Sequence, residues 1–376
     1  MTIRSWALID DSRDDSELPQ ELVSEQFPLV SGQWAIRQKV LSSVLSDGVR
    51  LIEIDNGQMR VFVIPTRGMG IWKVEIADGG QGCHKLGWRS PVRGPVHPAH
   101  VPVFDPSGLG WLDGFDELVV RCGLESNGAP DFDEQGQLTY PLHGRIGNRP
   151  AHFVEVTVDD EAREIRLRGI VEETRFHFQK LRLETTLTIP FDATSLNLSD
   201  QVENFGGTPA EMQMLYHINI GEPLLTPGDK FIAPIETVYH RDRPNEKPPA
   251  DWSHYSAGTP GKLEDGYFMT MKSSSTGETK VLLKNSQHNC GVAIGYHTSQ
   301  LPCFTLWKND VAQQDGYVTG LEPATNYPNC RSVEKAAGRV VDLPPGAFWS
   351  ADLQIDYLVD GSAVEAVEKE IADLAS

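Results

Sequence analysis

Apolar residues recur at every second position through much of the chain. The runs Val49-Arg50-Leu51-Ile52-Glu53-Ile54-Asp55 and Met59-Arg60-Val61-Phe62-Val63-Ile64 flank Asn56-Gly57. Two apolar runs across Asn-Gly predict a hairpin, because this dipeptide accepts the positive φ angles of a tight type I′ turn. Clear alternation over 151–158, 164–171, 181–189 and 195–202 predicts half-buried strands with one wet face. Further strands are predicted at 280–284, 291–296, 303–307 and 348–357. Helical spacing is confined to 362–374, where Val364, Val367, Ile371 and Leu374 recur. The pattern predicts an all-β chain with a short C-terminal helix. So many strands must close or stack to manage their edges, and a large antiparallel β-sandwich does this.

The 376 residues exceed the usual length of one domain, but all-β sandwiches run long. No internal repeat and no long linker divides the chain. The acidic, weakly patterned stretch Asp10 to Glu25 is expected to lie on the surface, within an N-terminal arm at 1–30. A single β-sandwich domain is expected over 31–376. The stretches 91–106 and 239–249 read as loops, the first placed to rim a cleft.

Composition narrows the function. A formal net charge of −20 opposes nucleic acid and anionic membranes, so neither is expected as a partner. The five cysteines are odd in number and form no C-x-x-C pair, which argues against a disulfide scaffold or a zinc knuckle. The first residues lack the apolar centre of a signal peptide, and no run approaches ~18 apolar residues, so a cytoplasmic protein is expected. No Gly-rich phosphate loop occurs, which argues against nucleotide dependence.

Three stretches carry candidate chemistry: Pro141-Leu142-His143-Gly144-Arg145-Ile146-Gly147-Asn148, Leu215-Tyr216-His217-Ile218-Asn219-Ile220-Gly221, and Gly320-Leu321-Glu322-Pro323-Ala324-Thr325-Asn326. His217 sits in an apolar strand pattern, and Glu322 stands where a strand meets a turn. Alone, such a His is more often a hydrogen-bonded core residue, and such a Glu as often caps a turn. Together, a buried His and a buried Glu with displaced pKa values form a general acid and base. They point to an enzyme that moves protons on a polar, uncharged substrate. Cys122 reads as a buried structural thiol, since no activating His lies near it in sequence.

These stretches also carry a resemblance. Arg67 in Ile64-Pro65-Thr66-Arg67-Gly68-Met69-Gly70, then His143-Gly144-Arg145, Tyr216-His217-Ile218-Asn219 and Glu322-Pro323 occur in that order. From about Val61 to about Tyr357 the chain resembles the aldose 1-epimerase (galactose mutarotase-like) superfamily, in one of its less characterised bacterial branches. The resemblance implies that family's large sandwich. It implies that His217 protonates the sugar's ring oxygen while Glu322 takes the proton of the anomeric hydroxyl. Arg67, His143, Arg145, Asn219 and Asn326 are then candidates to hold substrate, with Trp307 offering an aromatic face to the sugar ring. The family's acidic substrate-binding residue falls on either Asp251 or Asp265. Pro323 to Asn326 replace the glutamine-containing surroundings of better-known mutarotases, which leaves the sugar open.

The implied function is an aldose 1-epimerase that takes a small-molecule sugar. No cofactor is expected, because the acid and base exchange roles on ring closure. No metal is expected either, because no short-spaced ligand motif is present. The alternatives are a metal-assisted isomerase or lyase on a sugar or sugar acid, and a non-catalytic carbohydrate sensor. The oligomeric state stays open, with a homodimer among the options.

Overall fold

The computed structural model describes residues 3–27, 32–77 and 84–376. Most of the described chain forms two large antiparallel sheets packed face to face. The first holds nine strands, ordered Ile3–Asp10, Ala151–Asp159, Glu164–Thr174, Lys180–Pro190, Ser195–Asn204, Phe348–Leu358, Gly291–His297, Glu278–Lys284 and Lys230–Ile232. Lys180–Pro190 buries every second side chain, as its alternation requires. The second sheet holds thirteen strands. The hairpin across Asn56-Gly57 forms, with Ile54 opposite Val61 and Asp55 opposite Arg60, but of residues 56–59 only Gly57 takes a positive φ, so the turn is not type I′.

The middle of the second sheet departs from simple alternation. Here Cys303–Asn309, Val318–Ala324, Ala210–Gly221 and Val119–Leu124 lie side by side. Every residue of Val318–Ala324 is buried. One face packs against the first sheet through Met214, Tyr216, Ile218, Phe304, Leu306 and Leu321, within a core cluster that both sheets share. The opposite face is covered by a second cluster, where Trp111 and Phe115 meet Val120, Cys122, Leu215 and Ala324. A strand covered on both sides reads as a continuous apolar run, and polar residues within it stand out.

One ion pair crosses the sandwich. Arg121 is buried on the second sheet, and its Nη2 donates to Asp200 Oδ1 at 2.9 Å and to Thr185 Oγ1 at 2.6 Å on the first. Its Nε donates to Asp200 Oδ2. Its Nη1 donates to the carbonyls of Gly68 and Met69, at 3.3 and 3.1 Å. The guanidinium is thus fully engaged, as a buried charge must be.

Three expectations need correction. The N-terminal stretch is no free arm. Ile3–Asp10 pairs with Ala151–Asp159, Glu21–Val23 pairs with Ala35–Val40, and Leu8, Ile9 and Leu22 enter the core. Its charges obscured two edge strands; the expected boundary between residues 30 and 31 lies outside the described residues. The loop expected from Tyr239 begins two residues later, because Ile235–His240 is a strand. A short helix, Arg331–Ala336, adds to the C-terminal helix Gly361–Ala375. Its Glu334 is buried and accepts from Asn329 and Arg339, a polar role that apolar spacing does not signal. Among the described residues no helix is long and apolar enough to cross a membrane.

Arg121→Met leaves the Asp200 carboxylate buried without its partner. Urea unfolding should show a loss of about 3–5 kcal/mol, with part of it recovered in the double variant Arg121→Met/Asp200→Leu. A loss under ~1 kcal/mol would contradict the structural role given to this pair.

Candidate active site

In Ala210–Gly221 the even-numbered side chains point into the core, so Leu215, His217 and Asn219 face the other way. Leu215 pairs with Ala324 and Ile218 with Leu321, a register that sets His217 directly across from Glu322. The His217 Nε2 atom lies 3.2 Å from Glu322 Oε1. The approach is off the axis of a hydrogen bond, and Oε1 has no hydrogen-bond partner although it is buried. Glycine at 320 makes room for the pair. A Cβ there would sit 2.4 Å from Glu322 Oε1 and 3.0 Å from His217 Cε1.

His143 arrives from a turn. Its φ of 57° and the φ of 70° at Gly144 fold the chain back on itself. Its ring centroid stands 5.2 Å from that of His217, and its Nδ1 donates to the carbonyl of Asn127 at 3.0 Å. All three residues open onto a cavity of about 480 Å³, walled by Trp88, Trp111, Phe115 and Trp307. Pro91 and Val92, from the loop expected to rim a cleft, line its edge. Trp111 meets the His143 ring edge-on at 4.5 Å, and Trp307 meets His217 at 5.4 Å.

Burial governs the charges. It pushes the Glu322 carboxyl well above the usual carboxylate range, reinforced by Glu264 and opposed by Arg241. It pushes His217 well below the usual imidazole value, reinforced by His143 and opposed by the bond to Asn219. His143 is pushed down to about 4, again by burial. Burial therefore drives both partners of the pair toward their neutral forms.

The structure brings together four of the residues singled out in the sequence: His217, Glu322, His143 and Trp307. It does not bring in the other four. Arg67 is fully buried behind the site, with Nε 2.5 Å from Glu117 Oε1 and Nη1 3.1 Å from the Val96 carbonyl. Arg145 turns to Glu125 and Glu173, at 3.3 and 3.5 Å. Asn326 exchanges amide bonds with Asn127 at 2.9 and 2.8 Å. Asn219 faces His217 instead of the cavity, with Oδ1 2.5 Å from Nδ1. Each of the four bonds to a neighbouring protein group, although the buried Nη2 of Arg67 has no hydrogen-bond partner.

Two charged cavity residues that pair with each other went unseen in the sequence. Arg241 Nη1 donates to Glu264 Oε1 at 2.9 Å, and Trp307 Nε1 donates to Glu264 Oε2 at 2.7 Å. Neither Asp251 nor Asp265 lines the cavity; two other carboxylates between His217 and Glu322 in the chain do, Asp315 and Glu264. The only signal for Glu264 was its place beside Asp265, just before a strand. Cys122 is a buried free thiol in the Trp111 cluster, as expected of a structural cysteine.

The fold recurs in a known structure. A protein from Klebsiella pneumoniae, provisionally designated an aldose 1-epimerase, is 34% identical and superimposes with a TM-score of 0.91, over 100% of this chain and 96% of its own. The chain belongs to the aldose 1-epimerase (galactose mutarotase-like) superfamily. Within it, residues 46–357 match the family described as a domain of unknown function, DUF4432. A galactose mutarotase-like protein from Clostridium acetobutylicum superimposes with a TM-score of 0.57 at 13% identity, over 86% of this chain and 98% of its own. A galactose 1-epimerase from Lactobacillus acidophilus does so with 0.53 at 12%, over 87% and 99%. At those identities the likeness is one of fold. No curated protein matches the chain in sequence. The DUF4432 match takes in every residue that lines the cavity. Among the described residues of this superfamily member, no group of three or more His, Cys, Asp or Glu is placed to hold a metal ion.

The raised carboxyl makes a stability prediction. Its contribution is fully present below the unfolded-state value, about 4.5, and is lost as pH rises through the higher folded-state value. Glu322→Gln removes this loss. Its stability relative to the parent protein should climb as pH rises above about 4.5, followed by urea unfolding across the pH range. A difference that stays constant with pH would show that burial does not raise this carboxyl.

Proposed function

We propose that the protein is an aldose 1-epimerase, an isomerase that interconverts the anomers of a sugar by acid–base ring opening. The observation that carries this reading is the buried His217–Glu322 pair, 3.2 Å apart, at the wall of an aromatic cavity. The cavity volume of about 480 Å³ falls in the range of small-molecule sites. The C–H face of a sugar ring packs on indole, and polar groups at the cavity wall take its hydroxyls.

The proton count closes without any further reagent. The proton of the pair passes from Glu322 to His217 Nε2, which leaves a carboxylate and an imidazolium. Glu322 then removes the proton of the C1 hydroxyl while His217 gives its proton to the ring oxygen. The C1–O bond to the ring breaks, and C1 becomes an aldehyde. Rotation about C1–C2 presents the other face, and closure runs the same transfers backwards. The pair ends with the one proton it began with. Neutral His143, at the same wall, offers a hydrogen bond to a substrate hydroxyl without competing for that proton.

A carbohydrate sensor would need the aromatic walls but not a carboxyl buried without a hydrogen bond, which costs stability and adds no affinity. Which sugar is turned over follows from the walls around Glu264, Arg241 and Trp307.

Glu322→Gln keeps the shape and loses the transferable proton. Magnetisation transfer between anomeric C1–H resonances, over a panel of free sugars, should show exchange slowed by roughly 10²–10⁴-fold. Binding of the same sugar, by titration calorimetry, should largely survive. Near-normal exchange in this variant would remove Glu322 from the mechanism.

A further inference from the structure

We propose that Asn219 is a positioning residue for His217: braced by the Arg67–Glu117 pair, it holds the proton of the neutral imidazole on Nδ1 and makes Nε2 the nitrogen that exchanges protons. The catalytic consequence rests on the epimerase reading above; the tautomer itself does not.

The argument is one of donors and acceptors. Asn219 is fully buried and lines no part of the cavity, so it cannot meet substrate. Its amide could in principle present oxygen or nitrogen to His217. Nδ2 lies 3.0 Å from the carbonyl oxygen of Glu117 and 3.2 Å from that of His217, and both can only accept. Turning the amide over would set its oxygen against two carbonyl oxygens. The orientation is therefore fixed, and Oδ1 faces His217 Nδ1 at 2.5 Å. An amide oxygen only accepts, so Nδ1 must carry hydrogen. In the neutral ring Nε2 is then bare, and it is this atom that stands 3.2 Å from Glu322 Oε1.

The brace extends one step further back. The Glu117 carbonyl that receives Asn219 also receives Trp88 Nε1, at 3.2 Å, so one backbone oxygen serves the imidazole and a cavity wall. The Glu117 side chain is held by Arg67, and Arg67 in turn by the Val96 carbonyl. Arg67 thereby influences the site without touching it. An amide also suits the task better than a carboxylate. It orients the ring without adding a negative charge beside it, so the imidazolium stays acidic enough to give its proton away.

Nitrogen-15 spectra of histidine-labelled, ligand-free protein test the tautomer directly, with His217→Gln used to assign the signals. The parent protein should show Nδ1 protonated and Nε2 bare. Asn219→Leu should lose this preference and gain Nε2–H, and kcat should fall on the order of 10²-fold with KM nearly unchanged. Asn219→Asp still accepts from Nδ1. It should keep the tautomer and move the His217 titration to higher pH, among the other charges around the ring: Glu322, His143, Glu264, Arg241, the Cys122 thiol, and Arg67 with Glu117 behind. This variant and the parent spectrum decide the matter if Asn219→Leu does not fold.

An Nε2–H tautomer in the parent, an unchanged tautomer in Asn219→Leu, or a raised KM at constant kcat would each overturn the proposal. Loss of the tautomer preference without any sugar turnover in the parent would uphold the positioning and reject the epimerase reading instead.

Discussion

The site depends on one strand register. Ala210–Gly221 and Val318–Ala324 pair so that His217 and Glu322 stand opposite each other on the face turned away from the core. A slip of one residue would drive one of them between the sheets and bring an apolar residue out. The core prevents this, because Met214, Tyr216, Ile218 and Leu321 fix the inner face of both strands. The same register explains glycine at 320, whose missing side chain leaves space for the facing pair. It also sets Asn219 two residues beyond His217 on the same face, where it can reach Nδ1.

Burial gives this pair its chemistry and also its cost. A carboxyl that lacks a hydrogen-bond donor is destabilising in its charged form, and so is an imidazolium packed among Trp111, Phe115 and Trp307. A core spanning two large sheets offsets this, as does the fully satisfied Arg121–Asp200 pair between them. The two buried pairs differ in kind. Arg121 and Asp200 meet in two hydrogen bonds. His217 and Glu322 lie 3.2 Å apart without one, and burial pushes both toward neutrality.

Much of the fold was legible because period-two alternation is a direct consequence of a sheet with one wet face, and Asn56-Gly57 marked its hairpin. The strand at Ile3–Asp10 was not legible, since an edge strand with an exposed N-terminal half carries few buried positions. At the site, His217 stood out as a titratable residue in an apolar strand pattern and Glu322 as one at an expected strand end; the structure sets both within strands buried throughout that region. The resemblance misled for Arg67, Arg145, Asn219 and Asn326. Sequence shows that a polar group is buried, but its partner depends on residues far along the chain. Glu117 lies 50 positions from Arg67, and Asn127 lies 199 from Asn326. Glu264 and Arg241 were hidden by the opposite difficulty. They belong to a charge-rich surface stretch in composition and reach the cavity only through the fold.

Burial favours a protonated Glu322 beside a neutral His217. Infrared difference spectra between the parent protein and Glu322→Gln test this most directly. At neutral pH the substitution should remove the carbonyl stretch of a protonated carboxylic acid. Loss of only the carboxylate bands would contradict it, because the pair would then be ionised in the resting protein.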